Sequence, residues 1–189
     1  MFLPKTILVF PNALIFLILQ PFLKKAIKLM NTLNFEKISS KISSIVSDID
    51  GVLTNGNITY SSSGTEFKSF NVKDGSSIKR LMSSGIDIAL ISGRESITNQ
   101  IRAEELGISH LYQNMSDKGE ALDLLIKKGF PSKNICAIGD DIQDLALFRH
   151  ACVTLKITVS DGHPRVIEEA DFFTKRKGGQ GIMLSLKHI

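Results

Sequence analysis

Four short apolar runs, Ile45–Asp50, Ile86–Ile91, Gly107–Tyr112 and Asn134–Ile138, recur along the chain with helix-length stretches between them. Strands spaced in this way cannot pair as tight hairpins. They line up parallel, each joined to the next by a right-handed crossover. The predicted fold is therefore an α/β domain, Rossmann-like and three-layered, with a parallel sheet between two helical layers. Predicted helices run from Asp74 to Gly85, from Arg94 through Leu106, from Asp117 to Lys128, up to about His150, and from Pro164 to Glu169. Cys152–Leu155 and Ala170–Thr174 read as further strands, and Ile182–Leu186 as a closing amphipathic segment. Between the first run and the first helix, Ile58-Thr-Tyr60 and Glu66–Phe70 flank Ser61-Ser-Ser-Gly64, which predicts a β-hairpin.

Parallel sheets bind their ligands at the carboxyl ends of the strands. The first run ends in Asp48-Ile-Asp50-Gly51, two carboxylates two residues apart, on one side of an extended chain. Such a pair is costly unless a cation or a shared proton offsets it. It reads either as a divalent-metal site, one carboxylate of which can attack a substrate, or as a polar strand end entering a turn. The second run ends in Ser92-Gly93-Arg94. Lys118 follows the third, and Gly139-Asp140-Asp141 follows the fourth, with Asp144 one helical turn on. A polar or charged group stands at each strand end.

Composition narrows the classes. Hydrophobic residues make up 43% and charged residues 22%, as in an ordinary globular domain, and the net charge is +4. That surplus is small, no basic stripe is interleaved with aromatics, and no nucleic-acid partner is expected. Cys136 and Cys152 lie in apolar runs without a C-x-x-C spacing, which fits buried free thiols rather than a zinc site. Residues 1–41 read as an extension and 42–189 as a single domain. Ile7–Leu23 is mostly apolar, but Pro11, Asn12, Gln20 and Pro21 interrupt it, and a spanning helix needs roughly 20 apolar residues. Met30 as the true start, or a weak membrane-associating tail, is preferred over secretion, and the expected location is the cytoplasm. Membrane contact through residues 7–23 is the less favoured alternative.

The four stations resemble the four motifs of the haloacid dehalogenase superfamily of phosphotransferases: Asp48-Ile-Asp50-Gly-Val-Leu-Thr54, Ser92, Lys118 and Gly139-Asp-Asp-Ile-Gln-Asp144. Phe70-Asn-Val-Lys-Asp-Gly75, Ser92-Gly-Arg94, Gly107-Ile-Ser-His-Leu-Tyr-Gln113 and His163-Pro164 are further similar to stretches of the 3-deoxy-D-manno-octulosonate 8-phosphate phosphatase family. The resemblance covers roughly residues 42 to 181. It implies a Mg²⁺-dependent phosphatase of a sugar-acid phosphate in lipopolysaccharide precursor synthesis. Asp48 would be the nucleophile, Asp50 the general acid and base, and Lys118 the residue that neutralises charge on the transferring group. The Asp48 carboxylate, the Asp50 carbonyl and the Asp140 carboxylate would hold the metal, with Asp141 and Asp144 behind them. Ser92 and Gly93 would bind phosphate, Arg94 would reach the substrate carboxylate, and Lys73 and Asp74 would lie near the substrate. Taken alone, Ser92 could equally be a helix cap, and Lys118 a solvated helix residue.

The superfamily's cap domains have no room here, since only a hairpin and one helix separate Asp50 from Ile86. A capless site is open to water, and in the resembled family neighbouring subunits of a homotetramer close it, with the hairpin as a flap. The family's tail runs longer and carries an arginine beyond its glycines, whereas Ile182-Met-Leu-Ser185 follows Gly178-Gly-Gln-Gly181 here. Two alternatives share the fold: a phosphatase of nine-carbon keto-sugar-acid phosphates, and a non-catalytic tetramerisation module. A receiver-type signalling domain fits less well, because its phospho-accepting aspartate ends the third strand.

Overall fold

The computed structural model describes residues 37–186. The apolar segment at residues 7–23 and the alternative start at Met30 lie outside the described residues. The site is carried by a compact unit spanning Ile38–Ile189.

Six strands form one sheet: β1 (Ser44–Ser47), β4 (Asp87–Ile91), β5 (His110–Tyr112), β6 (Ile135–Gly139), β7 (Val153–Thr158) and β8 (Phe172–Phe173). The spatial order is β5-β4-β1-β6-β7-β8, and every pairing is parallel. β1 lies in the middle, with Ser44 opposite both Asp87 and Ile135. Every residue of β1 and β6 is buried. Continuous burial, rather than alternation, means that both faces of the sheet are covered.

Val46, Ala89, Ile91 and Ala137 share one face. They pack into a cluster with Ala121, Leu122 and Leu125 of α3 (Lys118–Lys127), Leu145, Leu147 and Phe148 of α4 (Asp144–Phe148), and Val166 of α5 (Pro164–Glu169). Ile45, Ile88, Leu90, Cys136 and Ile138 alternate to the other face and are equally buried. α1 (Val72–Ser83) packs against β4 and against a 3₁₀ turn at Met183–Leu186. α2 (Ile97–Leu106) follows β4.

Capping fixes where these helices begin. Asn71 accepts from the N–H of Lys73, so α1 starts two residues before the predicted Asp74. Ser96 caps α2 through the N–H of Thr98, and Asp117 caps α3 through those of Gly119 and Glu120. The His163 side chain accepts from Arg165 N–H, and Pro164 then opens α5. The closing segment forms a 3₁₀ turn rather than a full helix. The two-stranded hairpin is short: β2 (Thr59–Tyr60) pairs antiparallel with β3 (Glu66–Phe67). Among the described residues no helix is long and apolar enough to cross a membrane.

Candidate active site

β1 ends at Ser47, and the next residue continues its ladder, Asp48 N–H bonding to the Ile138 carbonyl at 2.9 Å. The chain then turns. The Ile49 carbonyl accepts from Leu53 (2.9 Å) and Thr54 (3.0 Å), and Thr54 Oγ1 accepts from Gly51 (3.3 Å) and Gly56 (3.2 Å). Gly51 has φ +100°, and a Cβ there would fall 2.1 Å from Asp140 Oδ2. Only glycine allows both that backbone and the approach of the carboxylate. A second glycine loop seals the turn from outside. Gly179 N–H donates to the Val52 carbonyl at 2.9 Å, and Asn71 Nδ2 donates to the Gly179 carbonyl at 3.2 Å.

Lys118, the first residue of α3, reaches into this end of the sheet and is 3% exposed. Its Nζ lies 2.7 Å from Asp48 Oδ1 and 2.6 Å from Asp144 Oδ1. Asp144 is a brace: its Oδ2 accepts from the N–H groups of Asp140 (2.8 Å) and Asp141 (3.0 Å). Burial alone would push the Lys118 ammonium down, but the charges of Asp48 and Asp144 outweigh it and hold its pKa up.

Carboxylate oxygens of Asp48, Asp140 and Asp144 lie within 4.8 Å of one another. Burial, followed by the Asp144 charge, pushes the Asp48 carboxyl up to about 6 despite Lys118. Burial, followed by the charges of Asp48 and Asp144, pushes Asp140 up to about 8. Asp140 Oδ1 is buried without a hydrogen-bond partner. With both Asp144 oxygens already engaged, Asp48 and Asp140 are the groups left short of positive charge. Hard oxygen donors, a deficit of cation and an orphaned carboxylate oxygen fit a divalent ion such as Mg²⁺.

A cleft of about 180 Å³ opens over these groups, lined by Asp48, Asp50, Ser92, Gly93, Arg94, Lys118, Asp141, Gln143 and Asp144. Ser92 is buried at the end of β4, with its N–H on the Tyr112 carbonyl (2.8 Å) and its Oγ accepting from Arg94 N–H (3.1 Å). The cap of α2 is Ser96, not Ser92, so the Ser92 hydroxyl is not spent on the helix. Arg94 Nη2 donates to Tyr60 Oη at 3.0 Å and to Glu66 Oε2 at 3.3 Å. Asp141 Oδ1 accepts from Ile142 N–H at 2.7 Å.

Two candidates lie elsewhere. Lys73 is exposed on α1, outside the cleft lining. Asp74 is 2% exposed and accepts from Met183 N–H at 2.7 Å, facing the 3₁₀ turn. Sequence reasoning missed Lys68 and Gln143. Gln143 Oε1 lies where a Cβ on Gly93 would approach it to 2.7 Å, so it crosses between two strand ends. Its place in the Asp-Asp-x-Gln-Asp run, on the way into α4, was the available signal.

Residues 97–186 match the haloacid dehalogenase-like hydrolase family. The 3-deoxy-D-manno-octulosonate 8-phosphate phosphatase of Escherichia coli K12 is 40% identical over 138 residues, which cover 72% of this chain and 72% of that one. The chain belongs to this phosphatase family. The Yersinia pestis phosphatase of the same name is 40% identical over 144 residues, 76% of each chain. Its solved structure matches this fold with a TM-score of 0.75 and 38% identity, covering 80% of this chain and 81% of that one. The Moraxella catarrhalis enzyme, solved with magnesium, phosphate and 3-deoxy-D-manno-octulosonate, matches with a TM-score of 0.76 and 37% identity, covering 81% and 87%. The chain is thus a phosphatase on a haloacid dehalogenase-type fold.

Proposed function

We propose that this phosphatase hydrolyses 3-deoxy-D-manno-octulosonate 8-phosphate to the free sugar acid and inorganic phosphate, with Mg²⁺ as cofactor. The observation that carries the reading is the Asp48 carboxylate in the cleft lining, paired with Lys118 and within 4.8 Å of a carboxylate oxygen of Asp140. Asp48 attacks phosphorus, a P–O bond forms to its carboxylate, and the bond to the sugar oxygen breaks. Asp50 gives that oxygen its proton, then takes one from the water that opens the aspartyl-phosphate. Lys118 offsets charge on the phosphoryl oxygens, while Ser92 and Gly93 N–H hold them. Arg94, at the mouth of the cleft, pairs with the sugar carboxylate. Asp48, Asp140 and the Asp50 carbonyl would hold Mg²⁺. When bound, the ion lowers the repulsion between an anionic nucleophile and an anionic ester.

Family membership supports a role in lipopolysaccharide precursor synthesis in the cytoplasm. The outward Tyr60 and Phe67 of the hairpin, 58% and 54% exposed, support its use as a flap between subunits of a homotetramer. A phosphatase of nine-carbon keto-acid phosphates would use the same floor and differ only at the mouth. The intact Asp48–Lys118–Asp144 array argues against a purely structural module.

The test is phosphate release from a panel of eight- and nine-carbon sugar-acid phosphates with Mg²⁺, beside Asp48→Asn. The eight-carbon 8-phosphate is expected to give the highest kcat/KM, and Asp48→Asn to abolish turnover. Release from none of the panel, or an unaffected Asp48→Asn, overturns the reading.

A further inference from the structure

The hairpin sends two side chains inward, and neither belongs to a family station. Glu66 and Lys68 are two residues apart on an extended segment, so they point to the same side. The side chain of Lys68 is 0% exposed. A buried ammonium is tolerated only when its donors are matched. Here Nζ donates to Asp50 Oδ2 at 2.9 Å and lies 2.8 Å from Asp50 Oδ1, a buried oxygen that accepts no hydrogen bond. It also donates to Asn99 Oδ1 at 3.1 Å, and Glu66 Oε1 is 3.6 Å away.

The rest of the network ties the same strand end to the opposite wall of the cleft. Glu66 accepts from Arg94 Nη2 at 3.3 Å and from Ser96 Oγ at 2.6 Å. Asn99 Nδ2 donates to Gln113 Oε1 at 3.1 Å, and that oxygen also accepts from Ser96 N–H at 2.9 Å. The loops that follow β1, β4 and β5 are thereby joined through one short hairpin arm. Asp50 itself is partly exposed at the cleft, and a lone carboxylate there could swing between rotamers. Proton transfer to a leaving oxygen requires the donor within hydrogen-bond reach, in a fixed direction.

We propose that Lys68 is a positioning residue for Asp50: its ammonium, held by Asn99 and Glu66, anchors the carboxylate through Oδ2, fixes its orientation toward the leaving group and leaves Oδ1 for the transferred proton. This rests on the phosphatase reading, in which Asp50 serves as acid and base. Among the described residues no cap domain follows β1, and the hairpin then orients the acid from within the same subunit.

The experiment uses the full chain with Mg²⁺ and two substrates, the sugar-acid phosphate and p-nitrophenyl phosphate, whose leaving group needs little protonation. Lys68→Met is expected to lower kcat on the sugar ester about 10- to 100-fold, the scale of a misplaced catalytic group. KM should change by less than about threefold, as for a group acting in the transition state. Single-turnover cleavage of p-nitrophenyl phosphate should suffer less. Lys68→Arg should recover most of the loss, and Lys68→Met placed on Asp50→Asn should add little to it. Full additivity with Asp50→Asn, equal losses on both substrates, or unchanged kcat overturns the inference. If Lys68→Met does not fold, Lys68→Gln carries the same comparison. A wild-type chain that hydrolyses neither ester overturns the phosphatase reading and this inference with it; an active wild type with an indifferent Lys68→Met overturns this inference alone.

Discussion

Gly178 lies so close to Gly51 that a Cβ at position 178 would stand 1.8 Å from the Gly51 carbonyl oxygen and 2.9 Å from that of Thr54. Both obstacles are backbone, so neither can rotate away. The loop they belong to carries Asp50 and makes the room that Asp140 occupies. Gly178→Ala is therefore expected to cost about 3 kcal/mol or more of folding stability, at the upper end of overpacking penalties. Phosphatase activity should fall with it. Urea unfolding beside a phosphate-release assay checks this, and a fully stable, fully active Gly178→Ala would contradict it.

Asp144 never needs to touch substrate to matter. Asp144→Ala strands two backbone N–H groups, those of Asp140 and Asp141, and leaves Lys118 with Asp48 alone. Breaking a buried pair in this way costs about 3–5 kcal/mol. Asp144→Asn keeps an oxygen for the two N–H groups and should lose less. The ranking wild type, Asn, Ala in denaturant midpoint is the expected result.

The like charges of Asp48 and Asp140 make the metal-free site unfavourable. Mg²⁺ should raise the melting temperature of the wild type, by the equivalent of about 2.7 kcal/mol at a hundredfold excess over Kd. Asp140→Asn should show little of this rise. Protons compete with the ion for carboxyls pushed up to about 6 and about 8, so Mg²⁺ affinity should climb from pH 6 to pH 8. Thermal shifts at several pH values report both effects, and a pH-independent affinity would count against the ligand set.

Asp74 offers a pH test away from the metal. Burial raises its carboxyl from 3.8 to about 6, against the pull of N–H groups at Met183 and Gly181 and of Arg102 and Arg176. The folded state thus holds this proton where the unfolded chain has lost it. Its contribution to stability is full below about pH 4 and declines as pH rises to about 6, by up to about 3 kcal/mol. Asp74→Asn cannot ionise, so the stability of wild type minus that of Asp74→Asn should fall across this window. A flat difference between pH 4 and pH 7 would refute the assignment.

The strand ends were legible because an apolar run that stops at a charged residue announces both its direction and its edge. Asp48 and Asp140 stand out on that ground, whereas Ser92, uncharged, and Lys118, at a helix start, stand out through the resemblance. Lys68 was hidden for the opposite reason. It sits among Thr, Ser and Glu residues, where a lysine reads as solvated, and its burial depends on a hairpin folding back over Asp50. Asp74, placed near the substrate by the resemblance alone, lies outside the cleft lining. Asn71 caps α1, which turns Asp74 inward toward residues more than a hundred positions away. Ser96 shows a similar ambiguity: two serines precede α2, and only the geometry tells which one caps it.

The central place of β1 also sets an order of events during synthesis. Asp48 is among the earlier of the described residues to leave the ribosome, yet its strand pairs through Ser44 with Ile135, and its loop is closed by Gly178. Loop closure over such separations is slow to be repaid. A nascent chain therefore holds Asp48 in an unfinished pocket until nearly all of residues 37–186 have emerged. Reactivity switches on as a single late event, and truncation short of the second glycine loop should yield a chain that has every motif and no turnover.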